Sequence, residues 1–371
     1  MYLLIPMISK KRELAPSSTV LADFFRQLPS RRLVLQAIYN AGSISRAEIA
    51  RETGLTKVTV SDVVAQMLSF DLLSESAPPS STGPGKPPVL LQLKRDHLRT
   101  IALDLSITDS VVIGSVDLYG QPFSRSQKRL DIQSPSELVE SLRALIQEEI
   151  DSSPLMVLGI GVGVPGVVDD GGIVIDGAAL NLHNFDLRTA LADHFGIEVH
   201  VANDANAAAQ ADSLFGGAEQ SSMLIRIANG VGSGLMLDGK PFLGSSFASG
   251  ELGHVVVVRD GAKCACGKRG CLEAEIAALL GAESPNKERI GHLLGAVLAP
   301  IVSVLNLGEI VLSTRSGIGG QQLVSALLTE IRNSTLPETF EGLVVRETKL
   351  GGDVVLLGAA AMALSAVLGV A

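Results

Sequence analysis

The stretch CACGKRGCLE, residues 264–273, holds every cysteine of a 371-residue chain: Cys264, Cys266 and Cys271. Three thiols cannot all pair with one another, and C-x-C-x4-C is not the C-x-x-C spacing of thioredoxin-type redox sites. Ten residues before Cys264, within GELGH, stands His254. Three thiolates and one imidazole form a Cys3His set, which suits a tetrahedral structural zinc ion and leaves no open coordination position for catalysis. Gly267 and Gly270 let the chain fold tightly around such an ion. The sequence therefore predicts a closed Zn2+ site of His254, Cys264, Cys266 and Cys271; the plain alternative is three inert buried thiols.

Outward from this block the chain reads as folded and globular. Apolar residues make up 46% and charged residues 19%, which excludes a disordered chain. Trp is absent and aromatics are few, so aliphatic side chains must fill the cores of two or three domains. The N-terminal MYLLIPMISKKRE runs from apolar to basic, the reverse of a secretory signal, so a cytoplasmic chain with reduced thiols is expected. Two greasy stretches, 293–312 and 354–370, contain Gly, and the first also contains Pro300 and Asn306. They read as buried helices rather than membrane spans.

Charge divides the chain. Residues 1–96 carry 12 Lys/Arg against 8 Asp/Glu, and the rest carry 18 against 31. A mildly basic head on an acidic body suggests that the head meets a polyanion. Within the head, RLVLQAIYN (32–40) predicts a helix with Leu33, Leu35, Ile38 and Tyr39 on one face. Ser45 with Glu48 three residues on makes a capping box, Gly54 stops that helix, and Thr56 caps the next. The last helix buries Val60, Val63, Val64, Met67 and Leu68. This is a helix-turn-helix, whose second helix enters the major groove N-terminus first. Arg46, Lys57, Thr59 and Ser61 are the candidate DNA contacts. The Pro/Gly/Ser run that follows, with Lys86 at its tip and a strand over 89–93, reads as a wing, and KRDHLR (94–99) as the joint to the body.

From Thr100 the pattern turns to strands: TIALDLS, SVVIGSVDL and PFSRSQKRLDI form a meander, followed by a helix at 135–150. LYGQPF (118–123) and LDGKPF (237–242) form a faint internal repeat that suggests two related lobes. Gly161, Gly163 and Gly166 fit G-x-G-x-x-G, but a turn and a strand follow them instead of a helix. The dinucleotide reading fails, and close approach of the backbone to a ligand or strand replaces it.

GIGVGVPGVVD, VANDANAAAQAD, GELGH and CACGKRGCLE, in this order, resemble the ROK family of repressors and sugar kinases over about residues 20–371. A winged helix-turn-helix ahead of them is similar to the family's repressor branch, which includes the xylose and N-acetylglucosamine regulators. The resemblance implies an α/β, two-lobed actin-like (ribonuclease H-like) body at 97–371 behind a winged-helix domain at 1–96. It also implies a sugar site of Gly166, Asn203, Asp204, Glu251, His254 and Glu273, with Asp204 as the base in the kinases. The expected partners are operator DNA, a carbohydrate or sugar-phosphate effector, and further copies in a homodimer or homotetramer.

The nucleotide elements depart from the kinase pattern. DLSIT (104–108) has Ser106 and Ile107 where the first phosphate loop has glycines. ANGVGSG (228–234) has Ala228 and Asn229 for Gly and Thr, and VLSTRSG (311–317) has Ser313 and Thr314 for a Gly pair. Without glycine, backbone N–H groups cannot easily face a phosphate. A regulator without kinase activity is the reading these departures favour. Only 17 residues separate Glu273 from Gly291, fewer than the family usually has.

Overall fold

The computed structural model describes residues 18–77, 88–95, 97–131, 133–282, 285–315 and 317–369. The chain divides into two units, Met1–His97 and Leu98–Ala371.

The first unit opens with α1 (Ser18–Gln27) and α2 (Pro29–Ala41). Its other elements are β1 (Ile44–Ser45), α3 (Arg46–Thr53), α4 (Lys57–Ser69), β2 (Leu73–Ser76) and β3 (Leu90–Leu93). The predicted caps form. Glu48 N–H donates to Ser45 Oγ and Ser45 N–H to Glu48 Oε2, which closes the capping box of α3. Gly54 is left-handed at the end of α3, and Thr56 Oγ1 accepts from Thr59 N–H at the start of α4. In α2 the buried face is Val34, Leu35 and Ile38, while Leu33 is exposed. Residues two apart lie about 200° apart around a helix, so Leu33 and Leu35 cannot share a face. The α1 helix was not anticipated; its Phe24 and Phe25 are buried, and Phe24 meets Phe70 edge to face. The strand expected over 89–93 is β3, which pairs antiparallel with β2 and β1, while the tip of the wing and Lys86 lie outside the described residues.

The second unit repeats one plan. In its first half β4 (Leu98–Asp104), β5 (Ser110–Val116) and β6 (Ser126–Arg129) form the predicted antiparallel meander. After α5 (Pro135–Asp151), β7 (Met156–Val164) pairs parallel with β4. A small ribbon follows, β8 (Val167–Val168), β9 (Ile173–Gly177) and β10 (Leu182–Asp186), and then α6 (Leu187–Phe195). β11 (Val199–Asn203) adds parallel to β7 and leads into α7 (Asp204–Ala211).

The second half begins with another antiparallel meander, β12 (Ser222–Ile227), β13 (Val231–Leu237) and β14 (Lys240–Pro241). Helices α8 (Leu272–Leu280) and α9 (Lys287–Leu305) follow. β15 (Glu309–Thr314) then pairs parallel with β12. After α10 (Gln321–Ser334) and α11 (Pro337–Phe340), β16 (Val344–Glu347) pairs parallel with β15. The chain closes with α12 (Val354–Leu368). Two five-stranded sheets of matching order make the two-lobed actin-like α/β fold. LYGQPF and LDGKPF occupy matching hairpins, with Val116 opposite Pro122 and Met236 opposite Pro241.

Between the sheets, Ala207, Ala208 and Ala211 of α7 share a core with Leu356, Ala359 and Ala360 of α12. Small residues bring these backbones close. A Cβ on Gly358 would lie 1.9 Å from Ala207 O, and one on Gly161 would lie 1.8 Å from Ala359 O. The glycines of β7 thus admit a helix, α12, rather than a ligand or a strand. Of the greasy stretch 354–370, residues 354–368 are this buried helix, but 293–312 is split between α9 and the start of β15. By length and composition α9, and α12 together with the turn before it (Gly351–Leu368), are long and apolar enough to cross a membrane, yet half or more of each is buried in protein. The sequence-based joint at 94–99 ends early, because Leu98 and Arg99 are buried in β4. Arg99 donates to the carbonyls of Glu149, Ile150 and Ser153, which satisfies the end of α5.

Candidate functional site

A cleft of about 320 Å³ opens between the halves of the body. All six residues expected around a sugar line it: Gly166, Asn203, Asp204, Glu251, His254 and Glu273. They arrive from the β7–β8 turn, the β11–α7 junction, the loop before the cysteines and the first turn of α8. Gly166, at φ +116°, could carry no side chain, since a Cβ would lie 2.1 Å from Asp176 O. Its carbonyl accepts from Asn203 Nδ2 at 2.9 Å.

Asn203 caps α7. Its Oδ1 accepts from Ala205 N–H and Asn206 N–H, and its Nδ2 donates to Gly166 O and Asp204 Oδ1. All four bonds of the amide are used inside the protein, so Asn203 places Asp204 and must release a partner to touch a ligand. Asp204 begins α7, and burial foremost pushes its carboxyl up to about 6. Arg226 opposes that rise and Asp104 adds to it. Burial likewise raises Asp104 and Glu251. Glu273 Oε2 accepts from Val231 N–H at 2.8 Å, which ties α8 to the start of β13.

The sequence reading missed Arg226. Its Nη1 donates to Asp204 Oδ2 at 3.0 Å and its Nη2 to Ser106 Oγ at 2.9 Å. A signal was present, because Arg226 is the single charged residue in SMLIRI, the otherwise largely apolar strand β12. Beside this pair, Asn229 Nδ2 donates to Thr108 Oγ1 at 3.3 Å. The loops DLSIT and ANGVGSG are thereby bonded to each other, and Ile107 packs against the core between the sheets. Downstream of VLSTRSG, a Cβ on Gly319 would lie 2.1 Å from Glu347 Oε1, so protein fills that side of the loop.

At the cysteine block, the ligand atoms of His254, Cys264, Cys266 and Cys271 all lie within 4.8 Å of one another. His254 Nδ1 is 3.6 Å from Cys264 Sγ, and Cys266 Sγ is 3.6 Å from Cys271 Sγ. The sulfur–sulfur separation is far longer than a disulfide bond, and both distances suit the edges of a tetrahedron around a metal ion. Burial foremost, and the neighbouring thiols with it, push Cys271 up to about 11, so three thiolates gathered beside a neutral imidazole require a cation among them. His254 directs its other ring nitrogen, Nε2, toward Glu251 at 3.8 Å. The cluster could hold a metal ion through Nδ1 while Nε2 stays on the side of the cleft carboxylates.

In the head, Lys57 and Ser61 are exposed on α4, and Lys57 makes no ion pair among the described residues. Thr59 is half-buried, and its hydroxyl pairs with Thr56 Oγ1 at 2.9 Å, so it braces the cap rather than standing free. Arg46 Nη2 bonds Glu75 Oε1 of β2 at 2.7 Å and must leave it to reach a phosphate. Val58, also missed, stands 71% exposed between Lys57 and Thr59.

The model of a family described as ROK matches residues 100–280. The xylose repressor of Bacillus spizizenii is 27% identical over 359 residues, covering 89% of this chain and 93% of that protein. The crystal structure of a ROK family transcriptional regulator, a homolog of the E. coli MLC protein, superposes with a TM-score of 0.77 at 24% identity. It covers 91% of this chain and 97% of its own. The ROK hexokinase from Thermus thermophilus gives a TM-score of 0.59 at 26% identity, covering 71% of this chain and 96% of its own.

Proposed function

From the premise that this chain carries a ROK-family domain, over residues 100–280, we propose that it is a sugar-responsive transcriptional repressor of carbohydrate-metabolism genes. Residues 1–96 are the DNA-binding domain, and residues 97–371 bind the effector. The observation that supports this reading is the pairing, in one chain, of a capped helix-turn-helix with a cleft lined by all six residues expected around a sugar.

In the head, α4 enters the major groove of double-stranded operator DNA. Lys57 and Ser61 contact phosphates and base edges, Thr59 holds the cap, and Val58 offers an apolar contact suited to a thymine methyl. Arg46 and Lys86 reach the backbone. In the cleft, Asp204, Glu251 and Glu273 accept from sugar hydroxyls, His254 offers Nε2, and Asn203 and Gly166 fix the floor. His254, Cys264, Cys266 and Cys271 hold a structural Zn2+, which when bound cross-links the loop of His254 to the start of α8. That link orients Glu273, two residues beyond Cys271.

A sugar alters operator binding only by favouring one arrangement of the protein over another. Helix-turn-helix proteins usually read two half-sites, so the working form is a cytoplasmic homodimer or homotetramer. The test is a gel-shift titration on the protein's own upstream region against a sugar panel. A concentration-dependent loss of the shifted band is expected, and indifference to every sugar would refute the reading.

A second reading is a sugar kinase with an appended DNA-binding domain. Asp204 favours it, as a carboxyl near 6 in the cleft suits a general base. The Arg226 pair and the joined phosphate loops favour the repressor. ATP turnover with a hexose panel, abolished by Asp204→Asn, would establish the kinase.

A further inference from the structure

We propose that Arg226 clasps the phosphate end of the cleft shut, so that the cleft takes an uncharged sugar and turns away phosphate esters and nucleotides. This rests on the sugar-responsive reading and narrows its effector class.

Three observations carry it. The first is the double bond of Arg226, to Asp204 on α7 and to Ser106 in the β4–β5 loop. Arg226 and Asp204 each expose only 16% of their side chains, so solvent weakens the pair little. The second is the neighbouring tie between Asn229, in the β12–β13 loop, and Thr108, in the β4–β5 loop. These loops come from equivalent hairpins of the two sheets, and a phosphate held between them would need their N–H groups facing a gap. Here hydroxyl, amide and guanidinium groups bridge that gap directly. The third is charge. Asp109, Asp204, Glu251 and Glu273 line the cleft, and among the described residues that line it Arg226 and His254 are the basic ones.

Arg226 is therefore an internal counter-ion, already matched by Asp204. A phosphate ester could use it only by displacing Asp204, which would leave a buried carboxylate facing a dianion. A neutral sugar has no such conflict. Its hydroxyls donate to the free lone pairs of Asp204, Glu251 and Glu273 while the clasp stays closed.

The experiment is calorimetric titration of the full-length protein with pentoses, hexoses, their terminal phosphate esters and a non-hydrolysable ATP analogue. The expected result is one or more neutral sugars binding, with the matching ester at least tenfold weaker and no heat from the nucleotide. An ester that binds at least as tightly as its parent sugar, and selectively loses that affinity in Arg226→Ala, would make Arg226 an anion receptor. That overturns the clasp and leaves the sugar-responsive reading standing. No binding of either class removes both. Hydrogen exchange gives a second readout: Arg226→Ala, or the milder Ser106→Ala, should speed exchange in residues 105–109 and 228–231 and leave α10 unchanged. Unaltered exchange in both loops would also overturn the clasp.

Discussion

Asp204 is a residue held at some expense to the fold. A carboxyl that titrates near 6 when folded, against 3.8 in its ordinary state, binds its proton more tightly in the folded chain. The sign follows: its contribution to stability is best at low pH and is lost as pH rises from 3.8 through 6. The full cost, about 3 kcal/mol, is present at pH 7. Asp204→Asn removes that titration. In denaturant unfolding, the variant should gain on the wild type by up to about 3 kcal/mol between pH 4 and pH 7. A difference that stays constant across this range would contradict the assignment. The cysteine block makes the opposite kind of demand, since its donors need a cation to be ionised together. Cys266→Ser should lose stoichiometric zinc by elemental analysis and lower the melting temperature of the body. Retained metal with unchanged melting would break the four-ligand set.

Elements explain both what the sequence made legible and what it hid. The helix-turn-helix was legible because its signals are local: Ser45 with Glu48, Gly54, and Thr56 with Thr59 all act within four residues. The cleft set came through the family resemblance, carried by short motifs, and each of its groups sits at or near an element boundary. Arg226 was not legible, since its partners lie 22 and 120 residues away and only sheet pairing brings them together. The role of Gly161 was hidden for the same reason, as α12 reaches it from the far end of the chain. That packing is testable. Gly161→Ala must push α12 off β7 and should cost at least about 2 kcal/mol in unfolding free energy; a neutral substitution would mean that the helix sits elsewhere. On α4, Lys57→Ala should weaken binding across operator sequences alike and reduce the salt slope by about 1. Loss confined to a single sequence would make Lys57 a base reader instead.

At the scale of the whole molecule the two functions must be one equilibrium. If a sugar lowers operator affinity by some factor, the operator must lower sugar affinity by the same factor. Coupling of this kind is typically 5- to 150-fold, or about 1–3 kcal/mol. The reciprocal measurement is direct: titrate the sugar into free protein, then into protein saturated with operator duplex, at one salt concentration. A weaker sugar affinity on the duplex, matched to the gel-shift factor, is the expected outcome. A sugar that binds equally well in both states shifts nothing, however tightly it binds. In that event the cleft would be a passive relic and control would have to come through another partner. The clasp sharpens the comparison, because Arg226 joins elements of both halves of the body, β12 and the β4–β5 loop, to Asp204. If ligand and clasp act on the same lobe equilibrium, Arg226→Ala should change the coupling factor as well as the sugar affinity. Thermal stabilisation by sugar, which follows RT ln(1 + [L]/Kd), separates the two effects. A variant that keeps this stabilisation but no longer releases the operator would place Arg226 in the transmission between the sites rather than in the pocket alone.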